Sequence, residues 1–297
     1  MPGLRELMIA TRPWSFTMTA VSVTGAASYS YYSTGAFDPL LYLLTLAGVT
    51  LLHAAANVLN DYYDTIRGVD VEGAPTTRYR PHPIISGMMI PKYLRNYGFS
   101  LMFAGLCFAV ALSLIRPLVP MLLALVGALL LLTYSGPLGY KYRAMGELGV
   151  FLAWGVFIWV GTHYVLTGSL SLGPAIAGAP VGLLVAAVLT ANNLRDVEYD
   201  GERGAKTMIV MMGVRRGIML YAAEVLIPYA LVLTAILAGS LPLTSLLTLL
   251  TLPMALRILR RFSKAIPENS DPMTASLVQN FGILYIVGML LGVLVGR

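Results

Sequence analysis

The sequence predicts an all-α polytopic membrane protein, with nine transmembrane helices forming two four-helix units in parallel repeat plus a ninth helix around a central cavity. Three observations predict it. The 297 residues are 57% hydrophobic and only 11% charged, where a soluble domain is about a quarter charged. Runs apolar enough to cross a bilayer, which takes about 20 residues, recur at 14–34, 39–60, 94–115, 117–135, 147–168, 173–194, 216–239, 242–259 and 274–296. Positive charge is one-sided. With nine spans, every Lys and Arg except Arg116 and Arg297 falls on the face of the N-terminal tail and the even-numbered connections. That bias marks a cytoplasmic face.

The whole chain, 1–297, reads as one transmembrane domain, expected in the plasma membrane of a prokaryote with its N-terminus cytoplasmic. Met1 to Arg12 is short and followed by further spans, so it reads as a tail and not a cleaved signal. Cys107 stands alone in an apolar run, which excludes an internal disulfide and a cysteine metal site. A net charge of +6 does not indicate nucleic acid, because the cations lie in short loops between spans. The carboxylates share the cytoplasmic bias: all but Asp38 and Glu224 lie in the tail or the cytoplasmic connections. The site is therefore expected on that face.

Thr11-Arg12-Pro13-Trp14 opens span one. Pro suits a first helical turn and Trp an interface, and Arg12 reads either as a snorkelling anchor or as a site cation. Span two carries His53, Asn57, Asp61 and Asp64 along one stripe. His53 is a packing residue or a cavity residue. The connection 62–91 is long, and long loops tend to be functional. Its Arg78 and Arg80 read as positive-inside charges or as a fork for phosphate oxygens. Span four ends in Tyr134, Tyr140, Lys141, Tyr142 and Arg143, where the tyrosines are anchors or aromatic faces for a cation. Span six tolerates Gly173, Pro174, Gly178 and Pro180 as membrane helices do. It ends in Asn192, Asp196 and Asp200, again one helical face, followed by Lys206. Glu224 is an intramembrane carboxylate of open role.

Ala56-Asn57-Val58-Leu59-Asn60-Asp61 matches Ala191-Asn192-Asn193-Leu194-Arg195-Asp196 as Ala-Asn-x-Leu-x-Asp. Each copy ends an even-numbered span. The chain therefore divides into pseudo-repeat halves, about 14–135 and 147–259, with span 274–296 appended. A parallel repeat brings both acidic ends to one cavity.

Clustered carboxylates repel one another unless cations neutralise them. Oxygen ligands without Cys or paired His select Mg2+, with Mn2+ as the alternative ion. Mg2+ commonly shares its shell with substrate phosphates. Aspartates, metal, Arg, Lys and an apolar cavity together describe a site for an amphiphilic diphosphate in membrane lipid. Metal and cations would stabilise the leaving diphosphate, and an allylic cation would need aromatic faces and no water.

Asn60-Asp61-x-x-Asp64 with Asp70, and Asp196-x-x-x-Asp200, resemble the paired aspartate motifs of the UbiA superfamily of intramembrane prenyltransferases. Arg80-Pro81-x-Pro83-x-x-Ser86-Gly87 resembles the segment after its first motif. Tyr140-Lys141, Gly146-Glu147 and Asn192-Asn193-Leu194-Arg195-Asp196 are most similar to the 1,4-dihydroxy-2-naphthoate polyprenyltransferases of menaquinone biosynthesis and their vertebrate UbiA-domain relative. The resemblance implies two Mg2+ ions, a polyprenyl diphosphate donor and an aromatic acceptor. It implies Asp61, Asp64, Asp196 and Asp200 as metal-binding catalytic residues and Tyr62 or Tyr140 as stabilisers of the cation. Asn57, Asn60, Arg67, Arg78, Arg80, Lys141, Asn192 and Lys206 are then expected around the diphosphate. An archaeal geranylgeranylglyceryl-phosphate transferase is the alternative within the superfamily. A cation-coupled transporter is the alternative outside it, disfavoured because the charges gather at one face and not at mid-membrane.

Overall fold

The computed structural model describes residues 2–295, without the side chains of Arg78 and Tyr79. All of its regular structure is helical. Its long helices are α1 Phe16–Thr34, α2 Pro39–Ile66, α3 Pro91–Ile115, α4 Val119–Tyr134, α5 Gly146–Thr167, α6 Gly173–Arg195, α7 Val214–Leu237, α8 Leu243–Phe262 and α9 Ser270–Val295. Among the described residues, seven of these are long and apolar enough to cross a membrane by length and composition. The other two expected spans are α1 and α4. Helix α1 holds 19 residues but is rich in Ser, Thr and Tyr. Helix α4 is strongly apolar but has only 16 residues, a rise of about 24 Å against a hydrocarbon core of about 30 Å.

Proline opens most of these helices. Pro39, Pro91, Pro120 and Pro174 occupy first-turn positions, where the missing N–H costs nothing. Asp38 caps α2 by accepting the Leu41 N–H at 3.0 Å. Helix α2 runs six residues past the expected end at 60, because Asn60, Asp61, Asp64 and Thr65 continue the helix with their side chains hydrogen-bonded. Its 28 residues reach about 42 Å, so the acidic end projects beyond the apolar layer. Short helices unforeseen in the sequence cover Leu4–Ala10, Pro75–Tyr79, Val197–Glu202 and Met208–Met212. They lie in the tail and the connections that carry the charge.

Helix α6 is central. Two thirds of its apolar window is buried, 67% against at most 39% for the other six membrane-length helices. It packs on α5, α7 and α9. Fully buried Trp159, Tyr221, Phe262, Phe281 and Tyr285 fill the core on this side. Large aliphatics such as Leu114, Leu237 and Leu294 point outward, as a lipid-facing surface requires. Within α5, Leu152–Phe157 is wound as a π-helix. Gly155 there faces Gly178 and Gly182 of α6 so closely that a Cβ on Gly182 would stand 2.6 Å from Gly155 Cα.

Candidate active site

A cavity of about 790 Å3 runs between α1–α6 and the start of α9. Most of its lining is apolar, including Leu52, Phe108, Leu131 and Leu189, and its charged groups gather where α2 and α6 end. The mouth is assembled where α2 and α6 end. The two acidic ends and the turn after α4, Tyr140–Tyr142, meet there.

Asp64 is the hub. It accepts from Lys141 Nζ at 2.8 Å, from Asn60 Nδ2 at 3.0 Å, and from the Tyr142 hydroxyl. Ser135 donates to Asn60 Oδ1 at 2.8 Å, which fixes the Asn60 amide. Burial alone would lower the Lys141 ammonium, but the Asp64 carboxylate that it hydrogen-bonds holds it charged, well above the ordinary lysine value. Burial raises the neighbouring Tyr142 phenol and pushes Tyr140 up to about 12. Both tyrosines therefore stay neutral and act as donors or ring faces.

On the α6 side, Arg195 grips Asp196 through Nε and Nη2 at 2.7 and 2.8 Å. The same guanidinium bonds Asn192 Oδ1 at 2.8 Å and Asp271 of α9. Among the described residues no side chain hydrogen-bonds to Asp200. Burial pushes its carboxyl up to about 7, opposed by Lys141 and reinforced by Asp196, Asp64 and Asp70. Asp64, Asp70, Asp196 and Asp200 thus border one cavity, with Lys141 on Asp64 and Arg195 on Asp196. Hard oxygen donors are the ligands Mg2+ takes, and Asp64, Asp70, Asp196 and Asp200 offer carboxylate oxygens along the cavity wall.

The expected residues divide clearly. Asn57, Asn60, Asp64, Arg80, Tyr140, Lys141, Asn192, Asp196 and Asp200 line the cavity. Asn57 donates to Thr11 O and Ser15 Oγ, both at 3.0 Å. Asp61 is fully buried outside the cavity wall, bound by Arg12 and Arg80. Tyr62 packs with Val58 and Leu94 between α2 and α3, because it lies on the far side of the helix. Arg67 turns away to the carbonyls of Ser135, at 2.9 Å, and Gly136. Lys206 is exposed beside Arg143. The side chain of Arg78 lies outside the described residues. His53, of open role in the sequence, lines the cavity edge-on to Trp154, ring centres 5.0 Å apart. Tyr142, expected as an anchor or an aromatic face, also donates its hydroxyl to Asp64. Asp271, Ser135 and Trp154 join the site without a signal in the sequence.

The model of the UbiA prenyltransferase family matches residues 20–294. UbiA prenyltransferase domain-containing protein 1 of Xenopus tropicalis is 30% identical over 287 residues, 96% of this chain and 81% of that protein. It carries the vertebrate UbiA-domain name to which the motifs pointed. Among solved structures, a UbiA homolog from Aeropyrum pernix K1 superposes with a TM-score of 0.73 at 20% identity, over 94% of this chain and 98% of its own. A UbiA homolog from Archaeoglobus fulgidus, bound to DMAPP and Mg2+, gives 0.66 at 17% identity, over 98% of each chain. Both likenesses establish the fold. Because the family match takes in both acidic helix ends and every helix between them, the chain belongs to the UbiA prenyltransferase family and is an intramembrane prenyltransferase.

Proposed function

We propose that this prenyltransferase moves a polyprenyl group from its diphosphate to an aromatic acceptor of the 1,4-dihydroxy-2-naphthoate type, the prenylation of menaquinone biosynthesis. The observation that carries the reading is the junction of a long apolar cavity with a mouth of aspartates, Arg12, Arg80 and Lys141. One end takes an isoprenoid chain and the other its diphosphate. The motifs shared with the naphthoate branch, above all Asn192-Asn193-Leu194-Arg195-Asp196, support the acceptor. The one-sided basic residues support a cytoplasmic mouth in a prokaryotic plasma membrane.

In this reading Asp64, Asp196 and Asp200, with Asp70 alongside, hold two Mg2+ ions, or Mn2+ in their place. When bound, the metal neutralises diphosphate oxygens and makes diphosphate a better leaving group. Lys141, Arg80 and Arg12 place fixed positive charge around the same oxygens. The C–O bond to diphosphate breaks, and its electron pair leaves with the diphosphate. The allylic carbon then bonds to an electron-rich ring carbon, which gives up the proton or carboxyl group it carried. Tyr140, Tyr134 and Trp154 offer ring faces to the allylic cation, and the apolar wall keeps water from intercepting it.

The test is purified protein with a polyprenyl diphosphate, Mg2+ and either dihydroxynaphthoate or geranylgeranylglyceryl phosphate. Diphosphate release and prenylated naphthoate are expected only with Mg2+ and the aromatic acceptor. Turnover with the glyceryl phosphate alone would move the protein to archaeal-type lipid synthesis. Cation flux in vesicles without either substrate would overturn the enzymatic reading of the site.

A further inference from the structure

The geometry points to Asp61 as a positioning residue, not a metal ligand: its carboxylate seats Arg12 and Arg80 as a paired-guanidinium cradle for the diphosphate. The inference deepens the reading above and rests on it.

Helical phase separates Asp61 from its neighbours. At about 100° per residue, Asn57, Asn60 and Asp64 fall within about 60° of arc, and Asp61 lies about 70° from the centre of that arc. The three line the cavity and Asp61 does not. It turns instead towards the N-terminal segment and the 75–86 connection. There both of its oxygens are used. Arg80 forks onto it, Nη1 to Oδ2 at 3.0 Å and Nη2 to Oδ1 at 2.8 Å, and Arg12 bonds Oδ1. Both guanidiniums border the cavity. Arg80 is itself 7% exposed and Asp61 not at all.

Charge gives the direction. Both guanidiniums that Asp61 holds border the cavity, so positive charge faces the side where an anion enters. Guanidiniums recognise phosphate oxygens through paired N–H groups, but only when held in plane. A carboxylate behind them supplies that hold. Arg12 also adopts a left-handed backbone, φ 53° and ψ 60°, a conformation costly for a non-glycine residue and retained where the surroundings demand it. It sits at the break between the tail helix Leu4–Ala10 and α1, which aims its side chain back at Asp61.

The competing use of Asp61 is a cation site. Ligand atoms of Asp61, Asp70 and His82 lie within 4.8 Å of one another. Two observations oppose it. His82 Nδ1 accepts the N–H groups of Ile84 and Ile85 at 3.3 and 3.4 Å. The ring proton therefore belongs on Nε2, 3.2 Å from Asp70 Oδ2. A metal-bound histidine has the reverse polarity, donating from its outer nitrogen. And Arg12 and Arg80 already ion-pair with Asp61, so a divalent ion there would have to displace them.

The test compares Asp61→Asn with Asp64→Asn and with Arg12→Lys and Arg80→Lys, which keep the charge and lose the fork. Asp61→Asn is expected to raise the KM for polyprenyl diphosphate by about tenfold to a hundredfold, the worth of hydrogen bonds to a charged group. Inorganic diphosphate, titrated calorimetrically with Mg2+ present, should weaken by a similar factor. The Mg2+ concentration for half-maximal rate at saturating donor should stay within about twofold, whereas Asp64→Asn should raise it tenfold or more. Arg12→Lys should reproduce the donor effect, and adding it to Asp61→Asn should bring little more, because the residues act as one unit. If Asp61→Asn does not fold, the two Lys variants carry the same split between donor and metal. A raised Mg2+ requirement with unchanged donor KM in Asp61→Asn overturns the inference, as does a variant with neither altered. Failure of the wild-type protein to release diphosphate from the donor would instead overturn the proposed function, and the calorimetric comparison still reads the cradle.

Discussion

Lys141 Nζ lies 2.8 Å from Asp64 Oδ2, a bond that ties the turn after α4 to the acidic end of α2. The ammonium is mostly buried, its side chain 14% exposed, and it borders the cavity that Asp64, Asp70, Asp196 and Asp200 also line. Lys141→Gln should therefore lower kcat/KM by about a hundredfold, the usual loss when one preorganised charge is removed. Lys141 also opposes the rise of the Asp200 carboxyl. Its removal should move the pH at which Mg2+ supports activity to higher values. Rate measurements against Mg2+ and pH check both effects.

Asp200 sets the sign of the pH dependence. Its carboxyl rises from 3.8 to about 7, so between those values the folded chain holds a proton that the unfolded chain has released. The group favours folding below pH 3.8, and that contribution is lost as the pH rises through about 7. Thermal unfolding in chelator should accordingly occur at lower temperature at pH 8 than at pH 6, and Mg2+ should reverse the difference. Metal affinity runs the other way, falling by about tenfold per pH unit below 7, because the ion must displace the proton. Asp200→Asn should flatten both curves.

The contact between α5 and α6 leaves no room for a side chain. A Cβ at Gly182 would meet Phe151 O at 2.9 Å and Gly155 N at 3.0 Å, backbone atoms that cannot rotate aside. Gly182→Val should destabilise by about 1–3 kcal/mol, read as a lower Tm in detergent. The mouth residues would keep their sequence yet lose their spacing, so activity should fall with the donor KM raised.

Gly127 on α4 lines the cavity, and a Cβ there meets nothing within 4 Å. Gly127→Phe should fold and fill part of the chain-binding space. The ratio of kcat/KM for short over long prenyl diphosphates should rise by about tenfold or more, measured by competing two donors in one reaction.

Helix placement was legible because apolar runs and positive charge are linear signals. The boundaries failed where polar residues stay helical: Asn60 to Thr65 look like a loop by hydropathy, but their partners, Ser135 and Lys141, lie some 75 residues away. The same distance hid the direction of individual cations. Arg67 and Arg80 look equivalent in sequence, yet Arg67 serves the carbonyls of Ser135 and Gly136 and Arg80 serves Asp61. Spacing placed Asp61 and Asp64 on one face. It did not show that 60° of helix is enough to put one in the cavity and the other behind it.

The π-wound stretch Leu152–Phe157 places one extra residue in α5. Everything after it is offset by about 100° from where a regular helix would carry it. Trp154 opens onto the cavity, and Trp159, five residues on, is sealed in the core against Tyr285. No side-chain exchange reproduces or removes such an offset. Deleting one residue between 152 and 157 restores a uniform helix and swings the Gly146 end, with the Tyr140–Tyr142 turn attached, a quarter-turn around its axis. The position of the mouth therefore depends on chain length at a stretch that contributes no aspartate, lysine or arginine to it.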